Sequence, residues 1–362
     1  MSTAPLIAAQ ILPYTLEEPD TPYGAAVWNF TGRLVRDRFN QLNKYSKFNW
    51  CTKADPIPEP DTRDLALLMD ERAQELLSKH EHITVQWSGG VDSTAVLLSL
   101  IKHGIKKDNL KILCASTSEE EYPKLYEWLK AEGYDLTISD DWFKTMSEVN
   151  TDLITNGWCA DQLFGSMHFY HHPDTYFLDL PSFLEQRNFK KALTEDSIQD
   201  IAQVYKQAAK NVFDVDLEIA AQLGWFINFT MKWTWTNCVN ELYLAQTKNE
   251  YKTKAFFDTP YFQGWSLAHY GDIIKSNGYG EKTESYKRPL KEYSNSIFAD
   301  EDYLKSKGKF PSWNAALDST KTNFFRFVAK TTKGKLIINY PKIMPKGAPG
   351  IYTSTFFTRF LK

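Results

Sequence analysis

Residues 83–98, ITVQWSGGVDSTAVLL, constrain the fold of this chain more than any other stretch. A run of β-prone residues leads directly into two glycines, an acid and a serine, and an apolar helical pattern follows. Glycines let backbone N–H groups approach a ligand closely, and the N-terminus of a helix offers unpaired donors with partial positive charge. The stretch therefore predicts an anion-binding turn at the carboxyl end of a strand.

The residues around this turn alternate between helix and strand patterns. The predicted elements are helices over 63–80, 93–103, 119–132 and 141–149 and strands over 82–87, 111–115, 135–139 and 152–155. Such alternation with short connections requires parallel pairing and right-handed crossovers. Up to about residue 165, the sequence predicts an α/β fold with a doubly wound parallel sheet.

Beyond residue 165 the pattern becomes mainly helical. Apolar periodicity predicts long helices over 183–210 and 216–247 and shorter ones over 262–276 and 284–293. The tail contains one strand candidate, over 335–340, in a sequence that is otherwise broken by proline and glycine. A mostly helical C-terminal part is therefore expected to follow the sheet.

The candidate anion-binding residues are Ser88, Gly89, Gly90, Asp92 and Ser93. The serine hydroxyls can donate to phosphate oxygens, but a carboxylate repels a bare phosphate. Asp92 therefore fits best if a divalent cation lies between it and the phosphates. Neither G-x-x-x-x-G-K-[ST] nor G-x-G-x-x-G is present, so this is not one of the two common nucleotide loops. The alternative is an ordinary glycine-rich turn whose Ser and Asp cap a helix.

The stretch SGGVDS resembles the pyrophosphate loop (PP-loop) of the N-type ATP pyrophosphatases. The resemblance implies an adenine nucleotide alpha hydrolase-like sheet and cleavage of ATP between its α and β phosphates. It also implies ATP and Mg²⁺ as cofactors. Relatives bind the adenine and ribose after the second strand, so the resemblance adds Leu113 to the cofactor-binding residues, through its backbone.

A second motif, LITNGWCADQLFG at 153–165, resembles the asparagine synthetase signature L-S-G-E-G-A-D-E-L-F-G. The resemblance makes Asp161 a catalytic residue and a magnesium ligand together with Asp92, and it assigns Gly157 to the cofactor site. Two carboxylates from neighbouring strand ends suit a hard cation that bridges phosphates. Trp158 and Gln162 stand where the family has glutamates, which leaves the substrate open.

A third segment, YKRPLKE at 286–292, resembles the family's E-K-x-x-L-R-E. Lys287 falls on the family's catalytic lysine, and Lys291 falls on the basic residue after it. An ammonium group near the phosphates could stabilise the charge that develops on pyrophosphate. Lys282 is a rival for this role, and a solvated basic helix face is the alternative for the whole segment.

The resemblance covers about residues 80–295 and the synthetase domain alone, since Ser2 stands where a glutaminase domain would have its cysteine. The sequence pattern predicts an N-terminal extension and linker over 1–60, an α/β region over 61–180 and a mainly helical region over 181–362 with an irregular tail. The resemblance makes the second region the ATP-binding part and the third the substrate part. The implied function is an ATP-dependent amide (C–N) ligase. It adenylates a small-molecule or peptide carboxylate and releases AMP and pyrophosphate after attack by an amine or ammonia. A separate amidotransferase could supply the ammonia.

Two other functions stay open. One is another PP-loop chemistry, namely tRNA or nucleobase modification or sulfur transfer. The other is a nucleotide-binding partner subunit that has lost catalysis, which the residues Trp158 and Gln162 motivate. A net charge of −3 does not favour nucleic acid, and the four cysteines form no C-x-x-C pair. The start lacks a signal-peptide pattern, and the apolar run over 223–235 is too short to span a bilayer, so we expect a cytoplasmic protein without membrane contact.

Overall fold

The structure of the protein is a computed structural model. It describes residues 39, 57–139, 149–165, 175–186, 194–233, 252–277 and 287–307, and the backbone of 324–331 and 334–341. The predicted extension over 1–60 and the predicted helix over 141–149 lie outside the described residues, except for a few positions. Lys282 also lies outside them.

A single parallel sheet forms the centre of the described structure. Its strands are β1 (Ile83–Trp87), β2 (Leu110–Cys114), β3 (Asp135–Ile138), β4 (Leu153–Asn156) and β5 (Lys252–Ala255), in the order β3-β2-β1-β4-β5. The central strand β1 is buried because helices cover the sheet. Its neighbours β2 and β4 lie on opposite sides, so the strand order reverses at β1 and opens a crevice at its carboxyl end. The predicted α/β fold with a parallel sheet is confirmed.

The edge strand β5 was not predicted. It pairs with β4 in the register Leu153↔Lys252 to Asn156↔Ala255. Its sequence, KTKA, is short and polar, and it lacks the apolar run of a buried strand. Charged residues are common on edge strands, where they discourage pairing with other chains. The sheet therefore spans both of the regions that the sequence divides at residue 180.

The helices before the second motif are close to their predicted positions, with one correction. They are α1 (Leu65–Lys79), α2 (Val91–Lys102), α3 (Ser118–Glu121) and α4 (Pro123–Ala131). The single helix predicted over 119–132 is wrong, because the chain breaks at Tyr122 and starts again at Pro123. Proline has no backbone N–H to donate but fits the first turn of a helix, so it begins α4.

Several later helices are shorter than predicted. The later helices are α5 (Ala160–Phe164), α6 (Leu180–Gln186), α7 (Glu195–Phe213), α8 (Ala220–Ile227), α9 (Pro260–Ala268), α10 (Tyr270–Asn277), α11 (Arg288–Ile297) and α12 (Glu301–Ser306). Helix α11 overlaps the helix predicted over 284–293, and α5 and α12 were not predicted. The single helices predicted over 183–210 and 262–276 are both wrong, since Thr194 and His269 are not helical. The helix predicted over 216–247 begins as α8 and passes into a π-helical turn, Asn228–Lys232, beyond which residues 234–247 lie outside the described part. The predicted tail strand is β7 (Gly334–Pro341), and its antiparallel partner β6 (Phe324–Thr331) was not predicted.

Helix α2 is the element on which the site is built. Most of its residues are buried, because β1, α1 and α11 all pack against it. The packing of α11 on α2 brings residues that follow position 286 next to the glycine turn. Within the described ranges, no helix combines the length and apolar character needed to cross a membrane.

Candidate functional site

The glycine turn between β1 and α2 is held in shape by its own serines. The backbone N–H of Ser88 donates to Oγ of Ser93 at 3.1 Å, and the N–H of Gly90 donates to Oγ of Ser88 at 3.2 Å. The two hydroxyl oxygens also lie 3.1 Å apart. Gly90 stands before α2 without a side-chain cap. The serines thus brace the loop, and the start of α2 keeps the donors that an anion needs.

Gly89 is required at its position for two reasons. Its φ of +80° lies in the left-handed region that residues with a Cβ rarely adopt. A Cβ on Gly89 would also lie 2.8 Å from both the carbonyl oxygen of Ser118 and Cβ of Glu121. The turn therefore lies flat against helix α3.

Gly157 brings the two sequence motifs into contact. A Cβ at this position would lie 2.7 Å from the backbone nitrogen of Ser93 and 2.8 Å from the carbonyl carbon of Asp92. The loop after β4 therefore packs directly on the first turn of α2. Because the two backbone atoms and Cβ of Asp92, also at 2.8 Å, cannot move aside as the end of a long side chain can, only glycine permits this approach.

Lys287 joins the carboxylates of the two motifs. Its Nζ atom lies 2.6 Å from both Oδ1 and Oδ2 of Asp92 and 2.5 Å from Oδ1 of Asp161. The lysine side chain is 1% exposed, whereas those of Asp92 and Asp161 are 25% and 23% exposed. The ammonium group is therefore buried beneath two carboxylates that a ligand can still reach. The structure brings together the three residues predicted to carry the chemistry.

Two backbone positions at the site have left-handed dihedral angles. Lys287 has φ 47° and ψ 38° immediately before α11. Cys159 has φ 72° immediately before α5, the helix that carries Asp161. A non-glycine residue in this region costs on the order of 1 kcal/mol or more, and such strain is concentrated at functional sites. Lys287 itself carries the ammonium group at the centre of the site, and Cys159 precedes the helix that carries Asp161.

Leu113 is not brought to the site by its side chain. It lies within β2, aligned with Gln86 of β1 and Thr137 of β3, and it is fully buried. The carboxyl end of the strand is formed by Cys114, whose carbonyl accepts from the N–H of Ser139. A ligand beyond this edge would meet the residues after Cys114 first.

The two residues that depart from the family signature are accommodated differently. Trp158 is half-buried, and its N–H donates to Oδ1 of Asn156 at 3.1 Å. Asn156 in turn donates from Nδ2 to Oε1 of Gln86 at 2.9 Å, which joins the end of β4 to β1. Gln162 is buried at 5% exposure. The side chains of Trp158 and Gln162 are neutral, so they add no negative charge to this part of the site, and a neutral amide costs less to bury than a carboxylate.

Two charged residues beside the turn were missed by the sequence analysis. Nζ of Lys307, which follows α12, lies 3.1 Å from Oε1 of Glu121 at the end of α3. Nζ of Lys291 donates to the carbonyl oxygen of Lys307 at 3.2 Å. The acidic run before Pro123 is visible in the sequence, but no local pattern indicates that one of its members meets Lys307.

The residues present fit a magnesium ion that is shared with phosphates. Asp92 and Asp161 converge on one ammonium position and stay partly exposed. In the described ranges, no cluster of three or more His, Cys, Asp and Glu side chains could hold a metal ion by itself. Magnesium is commonly held by one or two carboxylates, with phosphate and water oxygens completing its shell.

Comparison with protein-family models and with curated proteins finds no match to this chain.

Proposed function

We propose that this protein is an ATP-dependent amide (C–N) ligase whose sheet is of the adenine nucleotide alpha hydrolase-like kind. It adenylates a carboxylate with release of pyrophosphate, and attack by an amine on the acyl adenylate then forms the amide and releases AMP. The observation that carries the proposal is the position of Lys287 Nζ, 2.6 Å from Asp92 and 2.5 Å from Asp161 at the glycine turn. A buried ammonium, two carboxylates and a glycine-lined helix N-terminus are the groups that binding of a magnesium polyphosphate requires.

The turn would bind the polyphosphate of ATP. Gly89 and Gly90 leave the start of α2 open, so backbone N–H groups can approach phosphate oxygens. Asp92 and Asp161 would hold Mg²⁺, and the ion would supply positive charge that neutralises the phosphates. Because both carboxylates lie in the first turns of helices that follow strands of the sheet, the chain can position the phosphates before any substrate arrives.

Lys287 would stabilise charge during the reaction. As the bond between the α phosphorus and the bridging oxygen breaks, negative charge grows on the leaving pyrophosphate. A buried ammonium aimed at that charge acts more strongly than an exposed one, since water screens it less. On binding of the nucleotide, the ammonium exchanges part of its contact with Asp92 for a phosphate oxygen.

The acid and amine substrates are proposed by class only. The carboxylate belongs to a small molecule or peptide, and the attacking group is an amine or ammonia, which a separate amidotransferase could supply. The half-buried Trp158 and the buried Gln162 present no charge where the family has glutamates. We therefore expect this protein to select an acid that is less polar than an amino acid such as aspartate.

The direct test is release of pyrophosphate from Mg-ATP by the purified protein, with a panel of acids and amines. Pyrophosphate and AMP should appear together, and Asp92→Ala should abolish both. Asp135→Ala is the matched control, because its side chain is 58% exposed at the edge of the sheet. Formation of ADP and phosphate instead of AMP and pyrophosphate would contradict the proposal.

One observation favours a second candidate, a nucleotide-binding subunit without turnover. Lys287 contacts both carboxylate oxygens of Asp92 and one of Asp161, so a magnesium ion must compete with an ammonium already in place. Calorimetry separates the two functions. ATP binding without release of pyrophosphate over the whole substrate panel would support the second candidate, and turnover with any pair of substrates would exclude it.

A further inference from the structure

A second buried ion pair lies beside the glycine turn. Nζ of Lys307 is 3.1 Å from Oε1 of Glu121, and the two side chains are each 10% exposed. Nζ of Lys307 also donates to the backbone carbonyl oxygen of Glu121 at 2.9 Å. The lysine is thus held against the end of α3 by two contacts.

Glu121 also packs against the glycine turn. Its Cβ would be 2.8 Å from a Cβ placed on Gly89, and its Oε1 would be 3.3 Å from a Cβ placed on Gly90. Gly90 is the residue before α2, where backbone donors and the helix dipole favour an anion. A carboxylate of the protein therefore lies beside the helix N-terminus at which an anion would bind.

The backbone around Lys307 is fixed by a third lysine. Lys291 is fully buried in α11, and its Nζ donates to the carbonyl oxygen of Lys307 at 3.2 Å. Lys287, Lys291 and Lys307 all come from the one segment that packs over α2. Two of them end at carboxylates that border the turn, Lys287 on the side of Asp92 and Lys307 on the side of Glu121.

Stability alone does not account for the pair. Burial lowers the pKa of the Lys307 ammonium, and the neighbouring Glu121 carboxylate opposes that shift only in part. Removing two charges from water generally costs about as much as their attraction returns, so a buried pair contributes little to the free energy of unfolding. A ligand that carries several negative charges gives these groups a function.

We propose that Lys307 is a further phosphate-binding residue of this site and that Glu121 holds it until an anion enters the glycine turn. The inference rests on the proposed function. The polyphosphate of ATP, or pyrophosphate itself, replaces Glu121 as the partner of Lys307. Lys287 and Lys307 then contact the bound anion from two sides of the turn.

The test is isothermal titration calorimetry of the full chain with magnesium pyrophosphate and with Mg-ATP. Lys307→Met should weaken binding of both by about 10-fold or more, because one charge-assisted contact is lost. Glu121→Gln should tighten binding several-fold, since it removes a competing carboxylate and keeps the side-chain shape. Lys307→Arg keeps the positive charge, so this variant should retain most of the wild-type affinity. Lys305→Met is the control, because this neighbouring lysine is 66% exposed.

A binding role for Lys307 predicts opposite changes in affinity, because Lys307→Met should weaken binding and Glu121→Gln should tighten it. A purely structural role does not predict this difference. If Glu121→Gln and Lys307→Met weaken binding alike, the pair is structural and the inference is overturned. Equal affinity of the wild type and Lys307→Met overturns it as well, and thermal unfolding checks that each variant is folded. If Lys307→Met does not fold, the affinities of Lys307→Arg and Glu121→Gln, each compared with that of the wild type, test the inference. A wild type that binds neither ligand overturns the proposed function itself.

Discussion

The Nζ atom of Lys287 lies 2.6 Å from each carboxylate oxygen of Asp92, although 195 residues separate the two in the chain. Asp92 belongs to the first turn of α2, and Lys287 precedes α11, which packs on that helix. The contact therefore joins the glycine turn to the far part of the chain. The activity and the stability of the protein should therefore depend on the contact between Lys287 and Asp92 and on the packing of α11 against α2.

Replacing Lys287 should remove activity and leave the fold intact. Lys287→Met deletes the ammonium that faces Asp92 and Asp161, and loss of one such electrostatic contact typically lowers kcat by about 10²–10³-fold. The measurement is the initial rate of pyrophosphate release, with circular dichroism as the check on folding. Arg288→Met is the matched control, because this exposed neighbour pairs with Glu292 on the surface of α11. A full rate in Lys287→Met would contradict the role given to it.

Gly157→Ala should displace the first turn of α2. The added methyl group would lie 2.7 Å from the nitrogen of Ser93 and 2.8 Å from the carbonyl carbon of Asp92, and backbone atoms cannot move aside as a side chain can. We expect the free energy of unfolding to fall by about 1–3 kcal/mol. Binding of Mg-ATP should weaken as well, because Asp92 moves. Gly271→Ala is the control, since nothing lies within 4 Å of its Cβ position.

Gly89 and Gly104 allow backbone strain and close contact to be measured separately. Both have φ +80°, but a Cβ on Gly104 has no neighbour within 4 Å, whereas a Cβ on Gly89 would lie 2.8 Å from Ser118 and Glu121. Gly104→Ala should cost about 1 kcal/mol for the left-handed conformation. Gly89→Ala should cost more in chemical denaturation. Equal losses would mean that α3 yields to the methyl group and that the turn does not lie tightly against it.

A fall in pH should weaken the contacts that Glu75 makes with Arg72 and Lys79. Burial raises the pKa of this carboxyl, but hydrogen bonds from Lys79 and Arg72 outweigh that effect and lower it from 4.5 to about 2. A lowered pKa in the folded state stabilises the protein above the unfolded pKa, and this stability is lost as the pH falls toward the folded pKa. The free energy of unfolding should therefore decrease between about pH 5 and pH 2. Glu75→Gln should flatten that part of the pH profile.

The control for this experiment is Glu71→Gln, which removes a charge from the same helix. Glu71 pairs with Arg63, and both side chains are 42% exposed. Water screens an exposed pair of this kind, so the pair contributes little to the free energy of unfolding. The slope of stability against pH should therefore stay close to that of the wild type. An identical slope in Glu75→Gln would show that the Arg72 and Lys79 contacts do not set the acid sensitivity.

Two buried tyrosines should respond differently to loss of the hydroxyl group. Tyr293 donates to Oδ1 of Asp70 at 2.6 Å, and removal of a bond to a charged group costs about 1.5–3 kcal/mol. The hydroxyl of Tyr303 makes no hydrogen bond of good geometry within the described ranges, although the Ser294 and Thr94 side chains lie near it. Tyr303→Phe should therefore change the free energy of unfolding by less than about 0.5 kcal/mol, or increase it. A large loss in Tyr303→Phe would reveal a partner for this hydroxyl.

The core of the sheet was predictable from the sequence because its signals are local. β1, β2, β3 and β4 lie close to their predicted bounds, since each combines a short apolar run with a polar or glycine-rich end. Helix lengths were overestimated where an apolar pattern continued across Thr194 or His269, because the periodicity of side chains does not report a break in the backbone. β5 was missed because a polar edge strand has no apolar signal.

The sequence by itself determined the strand, glycine turn and helix at 83–98, and it identified Asp92, Asp161 and Lys287 as candidates. These follow from residue types and short spacings. Only the tertiary structure decided that Lys287 bridges the two carboxylates and that Lys307 meets Glu121 beside the same turn. The physical reason is that these contacts depend on how α11 and α12 pack over α2 and α3. That packing arises from buried surfaces distributed over the whole chain, and no local pattern specifies which charged groups it brings together.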